Sequence, residues 1–227
     1  MFFWGPYGWL VIPALILALY AQFRVQSAFN KYARVRAASG YTGARVAQEI
    51  LSRFGLRDVR VEPVQGILSD HYDPRTRVLR LSPQVYGSNS LSALGVAAHE
   101  AGHALQHAEG YLWLGVRSAM VPVATFGSQA GLWLFILGLL FGGSTFLMDL
   151  GILLFTGAVA FTLVTLPVEF NASARALQVL QGQGFVAPQE ARAVKEVLDA
   201  AALTYVAAAT MAIFELLRLI LIRRQSD

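Results

Sequence analysis

The chain has no cysteine and few charged residues, and both shortages narrow what it can be. Without thiols it can build neither a disulfide framework nor a thiolate metal site, so a bound zinc would rest on histidine and carboxylate alone. With only four histidines, the search for ligands is short. Charged residues make up 14% of the 227 positions and hydrophobic ones 56%, which is too apolar for an ordinary soluble domain and implies a membrane protein. A glycine-rich phosphate loop and an interleaved aromatic-and-basic pattern are also lacking, so nucleic acid is a poor candidate partner. The net charge of +4 is unevenly placed. Arg24, Lys31, Arg34, Arg36 and Arg45 follow the first apolar run with no acid before Glu49, a distribution that reads as membrane-flanking.

The apolar runs predict about four transmembrane helices. Residues 7–23 are long enough to cross a bilayer and are introduced by Trp4 and Trp9, whose rings suit the lipid–water interface. Positive charge follows this run and does not precede it, so the segment reads as a retained anchor and not a cleaved signal. Under the positive-inside rule the region from Arg24 to Arg117 then faces the cytosol. Residues 118–166 read as a membrane hairpin with arms at 118–141 and 146–166, joined at Gly142-Gly143-Ser144-Thr145. Residues 167–199 read as a cytosolic segment and 200–224 as a fourth span. That last span would bury Glu215 and Arg218, at a cost of several kcal/mol unless they are paired.

Between the first span and the hairpin, residues 24–117 carry mixed patterns. Thr42 is a plausible N-cap for a helix over 41–55, with apolar positions at Val46, Ala47, Ile50, Leu51 and Phe54. Alternation over 59–64, and two runs at 66–72 and 77–82 about Asp73-Pro74-Arg75-Thr76, predict a small sheet with a hairpin. Gly87-Ser88-Asn89-Ser90 offers caps for a helix from Leu91 to about His107. The fold class expected is a mainly α membrane protein with a small β-hairpin or sheet, its zincin-like HExxH helix interleaved with the spans.

That helix carries His99-Glu100-Ala101-Gly102-His103. Two histidines four apart on a helix share one face and can chelate a single zinc, while the glutamate after the first can serve as general base to a water. His107 extends the series, but it starts about 12 Å from His99 along the axis, so one metal cannot take all three. A catalytic zinc needs a third protein ligand. The hairpin returns the chain to the cytosolic face near Pro167, which makes Glu169 the first choice. His71 and Asp70 stand as alternatives, because their hairpin could pack over the site. Asn171 or Ser173 could hydrogen-bond a ligand from behind.

The expected reaction is amide hydrolysis, with zinc polarising the scissile carbonyl and activating water, and with Glu100 moving the proton from that water to the leaving nitrogen. Tyr205 is a candidate donor to the developing oxyanion. An edge strand ahead of the motif helix could bind an extended peptide by strand addition, and residues 77–82 are the candidate. The competing reading is an inactive membrane adaptor or assembly factor that retains the fold and has no need of Glu100.

Four separated stretches strengthen the enzymatic reading: Leu68-Ser69-Asp70-His71-Tyr72-Asp73-Pro74, Val96-Ala97-Ala98-His99-Glu100-Ala101-Gly102-His103-Ala104, Pro167-Val168-Glu169-Phe170-Asn171-Ala172-Ser173, and Ala200-Ala201-Ala202-Leu203-Thr204-Tyr205-Val206-Ala207-Ala208. In these the chain resembles the YugP-like membrane zinc metallopeptidases over nearly its whole length. The resemblance implies zinc at His99 and His103, Glu100 as base and Glu169 as the downstream ligand. It also implies a bacterial inner (cell) membrane, with protein or peptide substrates that are membrane proteins or membrane-associated. More distantly the layout is similar to HtpX-like membrane proteases, which place an acidic residue four positions after the downstream glutamate. Here that position is Ser173.

Overall fold

The computed structural model describes residues 6–225, which divide into two compact units. One comprises the chain up to residue 22, residues 115–167 and the chain from 204 onward; the other comprises residues 23–114 and 168–203. A single 3-10 turn at Gly8–Val11 leads into α1 (Ile12–Tyr32). The later long helices are α5 (Leu112–Leu140), α6 (Thr145–Gly182) and α7 (Pro188–Arg224). These four helical stretches are each long and apolar enough to cross a membrane.

In the first unit the apolar side chains face outward as well as inward. Phe126, Trp133, Leu140, Phe141, Phe146 and Leu153 are exposed, as lipid-facing residues are. The inward faces meet at Phe135, Met148 and Leu219. Arms α5 and α6 approach closely where Gly131 meets Gly151. A Cβ on Gly131 would lie 2.8 Å from the Gly151 carbonyl oxygen, and one on Gly151 would lie 2.6 Å from that of Gly131. Small residues permit this backbone contact, which dispersion then stabilises. The charges that made a fourth span costly have partners. Arg218 pairs with Glu215 at 3.3 Å and also donates to the Pro6 carbonyl, while Arg223 donates to both carboxylate oxygens of Asp149 at 2.8 and 3.0 Å. Residues 167–182 continue α6 without a break. At about 1.5 Å per residue a helix of 38 residues measures about 57 Å, nearly twice an apolar slab of about 30 Å, so part of it lies beyond the bilayer.

The second unit holds α2 (Gly43–Arg53), β1 (Arg60–Pro63), β2 (His71–Asp73), β3 (Val78–Leu81), the single turn α3 (Pro83–Tyr86) and α4 (Leu91–Ala108). Thr42 caps α2 by accepting from the Arg45 amide, and Ser90 caps α4 by accepting from the Ala93 amide. The buried stripe of α2 is Val46, Ala47, Ile50 and Leu51, which joins Leu79, Leu81, Leu94, Ala97, Ala101, Leu180 and Val194 in one core. Placing α4 in this core requires small residues along it, and six of its positions are alanine.

The sheet differs from expectation in one respect that bears on function. Strand order is β1-β3-β2, with β1 parallel and β2 antiparallel to β3. Residues 77–82 therefore supply the central strand, both of whose edges are already paired, and not an edge open to a peptide. The outer edges belong to β1 and β2, and of the two it is β2 that packs against α4. The run at 66–72 is also mostly loop. Leu68 adopts φ 55°, in the left-handed region, and the Asp70 carboxylate accepts from the Ser82 amide at 2.7 Å and its hydroxyl at 3.1 Å, which pins the loop before pairing starts.

Candidate metal centre

Helix α4 presents His99 and His103 one turn apart, with ring centroids 4.7 Å apart and planes at 85°. Helix α6 brings Glu169 against them. Its Oε2 lies 3.2 Å from His99 Nε2 and 3.5 Å from His103 Nε2, and one donor atom from each of the three residues falls within 4.8 Å of the others. Zinc bonds of about 2.0–2.1 Å in a tetrahedral arrangement would separate neighbouring donors by about 3.4 Å. The observed spacings fit that ion. His99, His103 and Glu169 are thus positioned to bind a metal, and two imidazoles with one carboxylate are the donor set of catalytic zinc, which keeps one position open.

The close approach of α4 to α6 depends on Gly102, because a Cβ there would lie 2.8 Å from the Ala172 carbonyl oxygen. Glu100, between the histidines in sequence, is buried beside the donor set. Burial opposes a charge on His103, yet its hydrogen bond to Glu169 and the nearby carboxylates of Glu100 and Glu169 outweigh that and hold its imidazole above the ordinary histidine value. Carboxylates thus surround the imidazoles, a setting that suits a divalent cation.

Both imidazoles are oriented from behind. His99 Nδ1 lies 3.1 Å from Ser173 Oγ, and His103 Nδ1 lies 2.9 Å from Gln106 Oε1. With each Nδ1 donating, the neutral rings would offer their Nε2 lone pairs to a bound metal. Gln106 is fully buried, and its amide nitrogen donates to the Val168 carbonyl at 2.8 Å and to Asn171 Oδ1 at 2.9 Å. Asn171 also accepts from Arg175 Nε at 2.7 Å, and Arg175 Nη1 reaches Glu109 at 2.7 Å. Gln106 escaped the reading of the sequence, since a glutamine near a helix end suggests a solvated face. Its spacing of three from His103 was the available signal.

The alternative ligands are occupied elsewhere. His71 is exposed and its Nδ1 lies 2.7 Å from the Ser69 carbonyl. Asp70 is held by Ser82, and burial pushes its carboxyl up despite those hydrogen bonds. His107 does not join the metal group among the described residues; its Nδ1 hydrogen-bonds the Tyr72 hydroxyl at 2.9 Å. Tyr205 lies on α7 in the first unit.

A pair of helical histidines completed by a downstream glutamate, in a chain with four helices long and apolar enough to cross a membrane, outlines a metal-binding membrane protein, and comparison with known sequences gives the family. The chain belongs to the family described as "Putative neutral zinc metallopeptidase", whose sequence model matches residues 7–224. It is 54% identical over 213 residues to the "Putative membrane protease YugP" of Bacillus subtilis (strain 168), an alignment that covers 94% of each chain. No solved structure matches the chain.

Proposed function

We propose that the protein is a membrane-embedded zinc endopeptidase that hydrolyses peptide bonds of membrane or membrane-associated proteins at the cytosolic face of a bacterial cell membrane. The observation that carries this reading is the convergence of His99, His103 and Glu169 within 4.8 Å beside the buried Glu100. Zinc held there supplies a Lewis acid for the scissile carbonyl and lowers the pKa of a water. Glu100, which does not join the three donors, would accept the proton of the attacking water at a carboxylate oxygen and return it to the leaving nitrogen. Ser173 and Gln106 hold the imidazoles in the tautomer this requires. The cytosolic orientation is supported by the basic residues Arg24, Lys31, Arg34, Arg36 and Arg45 after the first span. Substrate would add as a further strand to the open edge of β2, with the backbone supplying affinity and side-chain pockets supplying preference.

The deciding experiment is Glu100→Gln in the full-length protein, assayed for peptide turnover and for zinc content. Turnover is expected to fall by about 10²–10⁴, the usual contribution of a general base, with zinc retained. A variant with undiminished activity in cells would sink the enzymatic reading in favour of an adaptor. A role for Tyr205 as oxyanion donor rests on its residue type. Tyr205→Phe then lowers kcat while leaving KM and zinc content unchanged, and an unchanged kcat removes the residue from the mechanism.

A further inference from the structure

Strand β2 is short, only His71 to Asp73, yet it is fastened at each of its residues or their neighbours. Asp70, just before it, is tied to Ser82. Asp73, at its end, accepts from the Arg75 amide at 3.0 Å and the Thr76 hydroxyl at 2.7 Å, closing the turn into β3. These bonds, the pairing with β3 and the packing of Tyr72 against the core are enough to keep the strand in its sheet. One bond goes elsewhere. The Tyr72 hydroxyl leaves the sheet altogether and meets His107 Nδ1, on the same helix as the metal-binding histidines and four residues beyond His103. The two rings lie 5.9 Å apart at 51°. His107 is exposed and makes no part of the metal group.

We infer that the Tyr72–His107 hydrogen bond is a positioning contact that sets the height of the open β2 edge over the metal-binding helix and so selects extended peptides long enough to pair with that edge. The inference rests on the strand-addition reading above. Four residues of helix rise about 6 Å, just over one turn, and strands pair about 4.8 Å apart, so a bond at His107 ties the edge to the helix about one turn beyond His103, and in this inference a peptide laid along it passes the site. A strand held only by its sheet could shift against the helix. A strand also bonded to the helix keeps one distance between where substrate pairs and where it is cut, which is what near-attack geometry requires. Tyr72 and His107 act through substrate placement; neither is assigned contact with the reacting atoms.

The test compares fluorescent peptide mixtures of four and of ten residues, randomised in sequence, on the full-length detergent-solubilised protein carrying Glu100→Gln, so that binding is read without turnover. In that background the longer mixture is expected to bind more tightly than the shorter one. Adding Tyr72→Phe should lower the affinity for the longer mixture about fivefold, the scale of one lost hydrogen bond, and leave the shorter mixture and the zinc content unchanged. His107→Gln, which can still accept at that position, should restore part of the difference that His107→Ala removes. In the Glu100 background the same substitutions should be visible in turnover as a rise in KM for long peptides with kcat nearly constant. If the two mixtures bind alike before Tyr72 is changed, or neither binds, strand addition fails and takes this inference with it. If the long-peptide advantage exists and survives Tyr72→Phe, strand addition stands and the positioning role is overturned. An equal loss for both lengths, or a loss of zinc, overturns it as well, because that marks a contact needed only for folding.

Discussion

At the scale of single residues, the metal centre owes its geometry to groups that never touch the metal. Gln106 is the clearest. Its carbonyl accepts a hydrogen bond from His103 Nδ1 while its amide nitrogen donates twice, to Val168 and Asn171. Gln106→Ala removes the acceptor and leaves a buried space in its place. Loss of an outer hydrogen-bond partner of a ligating histidine usually costs about 10–100-fold in metal affinity, and competition titration with a chelator is expected to show a loss in that range. A variant that holds zinc as tightly as the parent would mean that His103 is oriented by packing alone. The sequence made His99, Glu100 and His103 legible because chemistry and helical spacing coincide there. Gln106 was not legible in the same way, since its three partners come from its own helix and from a segment more than sixty residues later.

At the scale of elements, the site exists because two helices touch. Gly102 faces Ala172 across the contact, and a methyl group has no room between them. Gly102→Ala should force α4 and α6 apart by a few tenths of an ångström at the point where His99 and His103 meet Glu169. Overpacking of this kind costs about 1–3 kcal/mol, so a lower thermal midpoint together with weaker zinc binding is expected. Unchanged values for both would show that the helices can slide to accommodate the methyl. Helix α4 was readable nearly end to end, since Ser90 is an effective cap and no proline or turn sequence interrupts the stretch to Ala108. The sheet was readable only in part. The hairpin announces itself in Asp73-Pro74-Arg75-Thr76, but the parallel pairing of β1 with β3 joins residues that no local pattern connects, and it is this pairing that turns residues 77–82 into a central strand. Likewise the tie from Asp70 to Ser82 spans twelve residues and shortens a strand that alternation alone would extend.

At the scale of the whole molecule, zinc is expected to contribute to stability as well as to chemistry, because the chain that binds it is folded and its donors come from separate segments. Stripping the metal with a chelator should lower the thermal midpoint, and returning zinc should restore it; at a free zinc concentration about a hundredfold above Kd the linkage is worth about 2.7 kcal/mol. Glu169→Ala should abolish most of that zinc-dependent shift. A midpoint indifferent to zinc in the parent protein would place the ion outside the folded core. The apolar character was legible from composition, and the four apolar runs fall within the four long helices. The pairing of Arg218 with Glu215 and of Arg223 with Asp149 was not, because a charge in an apolar run does not name its partner.

The division of the chain has a topological consequence. The unit that carries the metal centre is made of two stretches, 23–114 and 168–203, and all four borders fall inside α1, α5, α6 and α7. It has no free end. No contiguous soluble fragment can reproduce it, because a piece covering 23–114 includes both histidines and omits Glu169. By the same token, one nick in the turn between α6 and α7 would leave both products attached to helices of the first unit. Releasing any part of the metal-bearing unit from the first unit by limited proteolysis therefore calls for at least two cuts, and the two halves of the chain should be able to find each other again when supplied as separate polypeptides.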